Sequence, residues 1–146
     1  MSRFITVFDD TPKFSVRKRE IHKLIKELSR EFNFKIEMLD IFFIPSEEMI
    51  ELNNQYLKHN YDTDILTFDY SVSKDLISAD IFISYKMAEE NAKKYKVDFN
   101  NEIIRLIIHG ILHIIGYDDK TPSEKRKMKR KENELTKKFS YFEILK

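Results

Sequence analysis

Two histidines stand four residues apart in an apolar run, His109-Gly110-Ile111-Leu112-His113-Ile114-Ile115-Gly116-Tyr117-Asp118-Asp119. On a helix, positions i and i+4 project from one face, one turn apart. Two neutral imidazoles so placed can reach one cation at the Zn–N distance of roughly 2.0–2.1 Å. They cannot close a tetrahedral site alone, so a third ligand must come from beyond the helix. Gly116 supplies the means. A glycine just past the last periodic residue accepts the left-handed conformation that stops a helix. The chain then turns back, with the carboxylates of Asp118 and Asp119 close behind. A zinc helix followed by a glycine turn that returns a third ligand is the layout of the metzincin signature. The competing reading is a pair of core histidines satisfied by backbone carbonyls or carboxylates.

The chain has two glycines, Gly110 and Gly116. Glycine inside a helix costs about 1 kcal/mol against alanine. Gly110 therefore signals close approach at the helix surface, by a substrate or by a packed neighbour. It also removes one mechanism. In the HExxH zinc peptidases the residue after the first histidine is the glutamate general base. Here it is glycine, so a peptidase mechanism using that glutamate is not available.

The helix that must carry this stretch runs from about Asn100 to Ile115. It is apolar nearly all round, which predicts a central helix that buries its imidazoles. ITVF near residue 5 reads as a short strand. Ser15 is the expected N-cap of a helix through Phe32, with Ile21, Leu24, Ile25 and Leu28 at helical spacing. Phe34 to Ile44 reads as a strand that Pro45 ends, and Ser46 is the expected N-cap of a helix to Leu57. ILTFDY and ADIFISY read as two strands of a hairpin. A helix follows Ser84 to about Tyr95, and Thr121-Pro122-Ser123 starts the last one. The order β-α-β-α-β-β-α-α-α predicts an α+β fold, a mixed four-stranded sheet with helices packed on it.

Length and composition bound the rest. The 146 residues suit one domain, 1–146. Without cysteine there is neither a disulfide nor a thiolate metal site. The N-terminus has no signal-peptide core and no apolar run reaches membrane length, so a soluble cytoplasmic protein is expected. Net charge is +1, but residues 120–138 carry nine Lys or Arg against three Glu, which makes that segment +6 and residues 1–119 −5. Such asymmetry suits a polyanionic partner on one face, or a plainly solvated terminal helix.

The stretch His109 to Asp118 resembles the HGxLHLxGYDH signature of the YbeY family of metal-dependent endoribonucleases. Leu52-Asn53 through Tyr56, then Thr63-Asp64-Ile65-Leu66-Thr67-Phe68, is similar to that family's LNxxY…TDVLSF block. Ala79-Asp80-Ile81-Phe82-Ile83-Ser84 is similar to its GDIxIS strand. The resemblance covers nearly the whole chain. It implies an α+β sandwich with a metzincin-like zinc helix. It implies cleavage of single-stranded RNA in small-subunit rRNA 3′-end maturation and ribosome quality control, with the small subunit as partner. It also implies one Zn2+ on the two helix histidines and a third ligand after the glycine turn.

The family's third histidine falls on Asp119 here. The implied catalytic and metal set is therefore His109, His113 and Asp119. Carboxylate oxygen binds zinc at roughly 2.0–2.2 Å, although the change lets harder divalent ions such as Mn2+ compete. Asp118 matches the aspartate of the GYD motif and is expected to do structural work. An arginine that commonly follows the tyrosine of LNxxY is Leu57 here, with Lys58 and His59 next to it. Asp64 and Asp80 are expected either to line the cleft or hold a ligand histidine, or else to cap strand ends. Histidine must be neutral to bind a metal, so release is expected below about pH 5–6. Two other functions fit the sequence. One is a metal hydrolase of another substrate, which Gly110 disfavours. The other is a non-catalytic assembly factor that docks on rRNA through Lys125, Arg126, Lys129 and Arg130.

Overall fold

A computed structural model of the chain describes residues 4–9, 12–59 and 62–146. The elements are β1 (Ile5–Phe8), α1 (Lys18–Phe32), β2 (Lys35–Ile44), α2 (Ser46–Leu57), β3 (Ile65–Asp69), β4 (Leu76–Ser84), α3 (Tyr85–Tyr95), α4 (Phe99–Ile114) and α5 (Pro122–Lys138). Their order is the one the sequence pattern predicts. The four strands form one sheet in the order β1-β2-β4-β3. β1 with β2 and β2 with β4 are parallel, while β3 and β4 form the antiparallel hairpin. The fold is α+β on a mixed sheet.

Strand alternation sorts the two faces. Leu39, Ile41 and Phe43 of β2 and Ile81 and Ile83 of β4 are buried in one cluster with Ile21, Leu24, Ile25 and Leu28 of α1 and the isoleucines of α4. The residues between them point to the other face. There Phe8, Phe42 and Phe82 stack across three strands, with ring centroids 4.6 and 4.5 Å apart. Phe42 and Phe82 pack against a small second cluster of Ile44, Met49 and Leu66.

Two expected caps are corrected. Ser15 does not start α1, because Val16 bridges to Leu145 and the Arg17 N–H donates to the Ile144 carbonyl at 2.7 Å. Those bonds hold the backbone extended until Lys18. Ser46 is the first helical residue of α2, and Pro45 takes the cap position. Ser84 and Thr121 do cap, accepting from the backbone N–H groups of Met87 and Glu124.

Gly110 is where α4 meets the sheet. A Cβ there would lie 3.0 Å from Ile81 Cδ1 and 3.2 Å from Ile65 Cδ1. The close approach is thus by packed neighbours on β4 and β3. Among the described residues no helix is long and apolar enough to cross a membrane.

Candidate metal centre

From residue 101 to 114, every position of α4 is buried except Asn101, Arg105, His109 and His113. Four-residue spacing keeps these side chains in one row along the helix. The expectation of buried imidazoles is therefore corrected: the His109 side chain is 31% exposed and His113 is exposed. The sheet and the neighbouring helices cover the apolar sides of α4 and leave its polar row open.

Arg105 organises this row. Its Nε and Nη2 donate to the two oxygens of Glu102 at 2.9 and 2.6 Å, a bidentate pair on one helix. Its Nη1 donates to Glu132 Oε1 on α5 at 2.5 Å. The other oxygen of Glu132 lies 2.6 Å from His109 Nδ1. Glu102 and Glu132 are almost wholly buried, at 2% and 1% exposure. Buried carboxylates persist only when paired and hydrogen-bonded, and here each is. Burial alone would raise the Glu132 pKa, but hydrogen bonds from His109 and Arg105, and their charges, bring it below the ordinary value. Arg105 is held more firmly charged than a free guanidinium, first by its hydrogen bond to Glu102. Asp64 lies 3.9 Å from Arg105 Nη2 and accepts from Asn91 Nδ2 at 3.2 Å. Burial pushes its pKa up, and the charges of Arg105 and His109 offset part of that rise.

The Glu132 contact decides what His109 can do. An ionised carboxylate at Nδ1 fixes the proton there and leaves the Nε2 lone pair for another partner. That tautomer is the one a metal-binding histidine uses. Sequence reasoning counted Glu132 only as one of three acids in a basic helix. The signal was present, because Glu132 lies between the buried Met128 and Leu135 on the apolar stripe of α5.

The turn after α4 forms as the glycine predicts. Gly116 has φ of 112°. Its N–H donates to the His113 carbonyl at 3.2 Å, and the Tyr117 N–H reaches back to Leu112 at 2.9 Å. Those two bonds are the Schellman pattern that satisfies the last helical carbonyls. Tyr117 then packs edge-on to Phe32, with Lys127 over its ring. Asp118 accepts from the Asp119 N–H at 2.8 Å and so shapes the turn.

Asp119 lines a hollow of about 190 Å³ together with His109, Arg105, Lys125, Lys129 and Glu132. His113 sits one turn along α4 and is not part of that lining. Among the described residues, no three His, Asp or Glu side chains converge closely enough to hold a metal. The structure thus brings His109 and Asp119 to one hollow and leaves His113 further along the open row. The donor types themselves, two imidazoles and a carboxylate, suit zinc.

The remaining candidates separate. Asp64 lines a larger cleft beside the same row. Asp80 lies on the opposite sheet face from Ile81 and accepts from the Tyr70 hydroxyl at 3.2 Å. Leu57 ends α2 as an exposed residue, and Lys58 takes the left-handed cap position after it. On α5, Lys138 pairs with Glu31 and Lys131 with Glu134, while Lys125, Arg126 and Arg130 stay exposed.

Known proteins match this chain over most of its length. The family model described as Endoribonuclease YbeY matches residues 6–140. An Endoribonuclease YbeY from Parabacteroides distasonis is 40% identical over 119 residues, 82% of this chain and 83% of that protein. One from Karelsulcia muelleri is 45% identical over 106 residues, 73% of this chain and 74% of that protein. A solution structure from Thermotoga maritima shares the fold with a TM-score of 0.65 at 23% identity, covering 92% of this chain and 88% of that one. The matched span begins inside β1 and ends just past α5, taking in the histidine row, the glycine turn and Glu132: the chain belongs to the YbeY family of endoribonucleases.

Proposed function

We propose that this chain is a zinc-dependent endoribonuclease that cuts single-stranded RNA, acting in small-subunit rRNA 3′-end maturation and ribosome quality control. One zinc ion would be held by His109, His113 and Asp119, with the His113 and Asp119 side chains turning toward His109 to close the site. The observation that carries this reading is the 2.6 Å contact of His109 Nδ1 with buried Glu132, which leaves Nε2 as a ligand atom. Zinc bound there supplies Lewis acidity toward water and toward a phosphodiester oxygen.

The residues around it divide the remaining work. Glu132 keeps the proton on Nδ1 and fixes the imidazole plane. Arg105 is engaged on both Glu102 and Glu132, so it serves as the brace between α4 and α5. Lys125 and Lys129 line the hollow with Asp119 and offer positive charge to a phosphate. Gly110 leaves no glutamate next to His109 to act as base. RNA brings its own nucleophile in the 2′-hydroxyl, so a 2′,3′-cyclic phosphate product would mark internal attack, and its absence would mark attack by water. Lys125, Arg126 and Arg130 are exposed on α5 and are the docking residues for rRNA of the small subunit.

The test is elemental analysis of wild type beside Asp119→Ala, with cleavage of a single-stranded RNA in parallel. We expect about one equivalent of zinc in the wild type, a loosened or lost ion in the variant, and cleavage that a chelator and His109→Ala both abolish. A wild-type chain that takes up no supplied zinc and cuts no RNA would sink this reading. It would leave a non-catalytic protein that docks on rRNA through α5.

A further inference from the structure

We propose that the cleft between α3, α4 and α5 is a base-selecting pocket for a nucleotide beside the cut, favouring bases with an exocyclic amine over uracil. The proposal rests on the RNA-cleavage reading above. The cleft holds about 630 Å³, within the usual range of small-ligand pockets. Arg105 and Lys129 line both this cleft and the hollow of His109 and Asp119, so the two form one continuous surface. A strand with its phosphate in the hollow would place an adjacent base here.

Charge sets the direction of entry. The cation in the floor, Arg105, is taken up by a bidentate bond to Glu102 and a third bond to Glu132. With Asp64 and Glu102 beside it, the floor is rich in acceptors and repels a phosphate. Lys129 and Lys137 are exposed and also line the cleft. A nucleotide therefore goes in base first, with its phosphate toward the lysines.

The walls suit a base edge. Asn91, Asn101 and Asn133 come from three different helices, and each amide both donates and accepts. Tyr95 lines the same cleft and is 62% exposed; Lys94 lies over its ring at 5.3 Å, and the opposite face is the one for stacking. An ionised carboxylate only accepts. Cytosine, adenine and guanine bring an exocyclic amine to Asp64, whereas uracil has only its ring N3–H, flanked by two carbonyl oxygens that the carboxylate repels.

The experiment titrates the zinc-loaded full chain with the four nucleoside 5′-monophosphates, reading the side-chain amides of Asn91, Asn101 and Asn133 by NMR. The same preparations are given single-stranded oligonucleotides that differ at one base. Cytidylate, adenylate and guanylate should each bind about tenfold tighter than uridylate, the scale of one hydrogen bond to a charged group. Asp64→Asn should close that gap with zinc content unchanged. Asn133→Ala, at an exposed helical position, should weaken all four nucleotides and covers the case in which Asp64→Asn fails to fold. Equal binding of uridylate, or shifts confined to other residues, in a protein that still cuts RNA overturns the pocket and leaves the nuclease. Base selection in a protein that cuts no RNA supports the pocket and sinks the nuclease.

Discussion

Replacing Glu132 with glutamine isolates the part of the site that holds His109. The carboxylate accepts from Arg105 at 2.5 Å and contacts His109 Nδ1 at 2.6 Å. A glutamine carbonyl can keep one of those bonds, while its amide group can accept neither. Glu132→Gln thus removes at least one charge-assisted hydrogen bond and the negative charge that lies between Arg105 and His109, with Lys129 3.6 Å away. Hydrogen bonds to charged groups contribute about 1.5–3 kcal/mol. Arg105 keeps its bidentate bond to Glu102, and the Arg105 and His109 side chains are 22% and 31% exposed, so water repairs part of the loss. We therefore expect a loss of about 2 kcal/mol in unfolding free energy. For a chain of this size that lowers Tm by about 4–8 °C. Freed from its anchor, His109 can protonate at either nitrogen, and zinc affinity should fall about 10–100-fold. Denaturant unfolding with the metal removed reads the first effect, and competition against a calibrated zinc chelator reads the second. A variant that unfolds at the wild-type midpoint and binds zinc as tightly would refute the anchoring role.

The same pair predicts a pH dependence. The Glu132 pKa is depressed in the folded chain, so its contribution is present above the unfolded value of about 4.3 and is lost as pH falls through the folded value. The stability gap between wild type and Glu132→Gln should be full at neutral pH and vanish in acid, and a constant gap would rule out the charge as its source. Gly110→Ala gains helix propensity of about 1 kcal/mol but forces a methyl against Ile81 at 3.0 Å and Ile65 at 3.2 Å. Overpacking costs about 1–3 kcal/mol, so net destabilisation is expected by urea unfolding, and a more stable variant would show that the isoleucines give way. Gly116→Ala puts a side chain on a backbone at φ 112° and should cost about 1–3 kcal/mol. Lys74 can swing clear of the new methyl, so the strain should persist whatever stands at position 74, which Lys74→Ala in the same background checks.

Periodicity carried most of the fold. The hairpin, the α4 stripe and the Gly116 stop are all local, and local pattern places them. Ser15 and Ser46 misled because a cap residue is chosen by what surrounds it. At Val16 and Arg17, bonds to Leu145 and Ile144 from the far end of the chain hold the backbone extended, and no window around Ser15 contains them. The imidazoles were expected inside because the composition of α4 hides a single polar row, and only the packing shows which side the other elements leave open. Glu132 was passed over for a similar reason. Among nine basic neighbours an acid looks like surface balance, until its place between Met128 and Leu135 is weighed. The placing of the two histidines in one row of α4 and of the acids behind its glycine turn was legible because both are local pattern.

The order of strands in the sheet bears on how the chain is made. β2 lies between β1 and β4, and α2 and β3 separate it in sequence from β4. A ribosome releasing this chain from its N-terminus delivers β1, α1 and β2 well before β4 is available. During that interval one long edge of β2, ending in Ile41-Phe42-Phe43-Ile44, has no partner. An unpaired apolar edge is the surface on which nascent chains associate wrongly. Arrival of β3 and β4 as a ready-made hairpin closes it in one step, since a hairpin forms far faster than a parallel pairing across intervening elements. Synthesis rate between β2 and β4 should thus govern the yield of native protein more than the stability of the finished fold does.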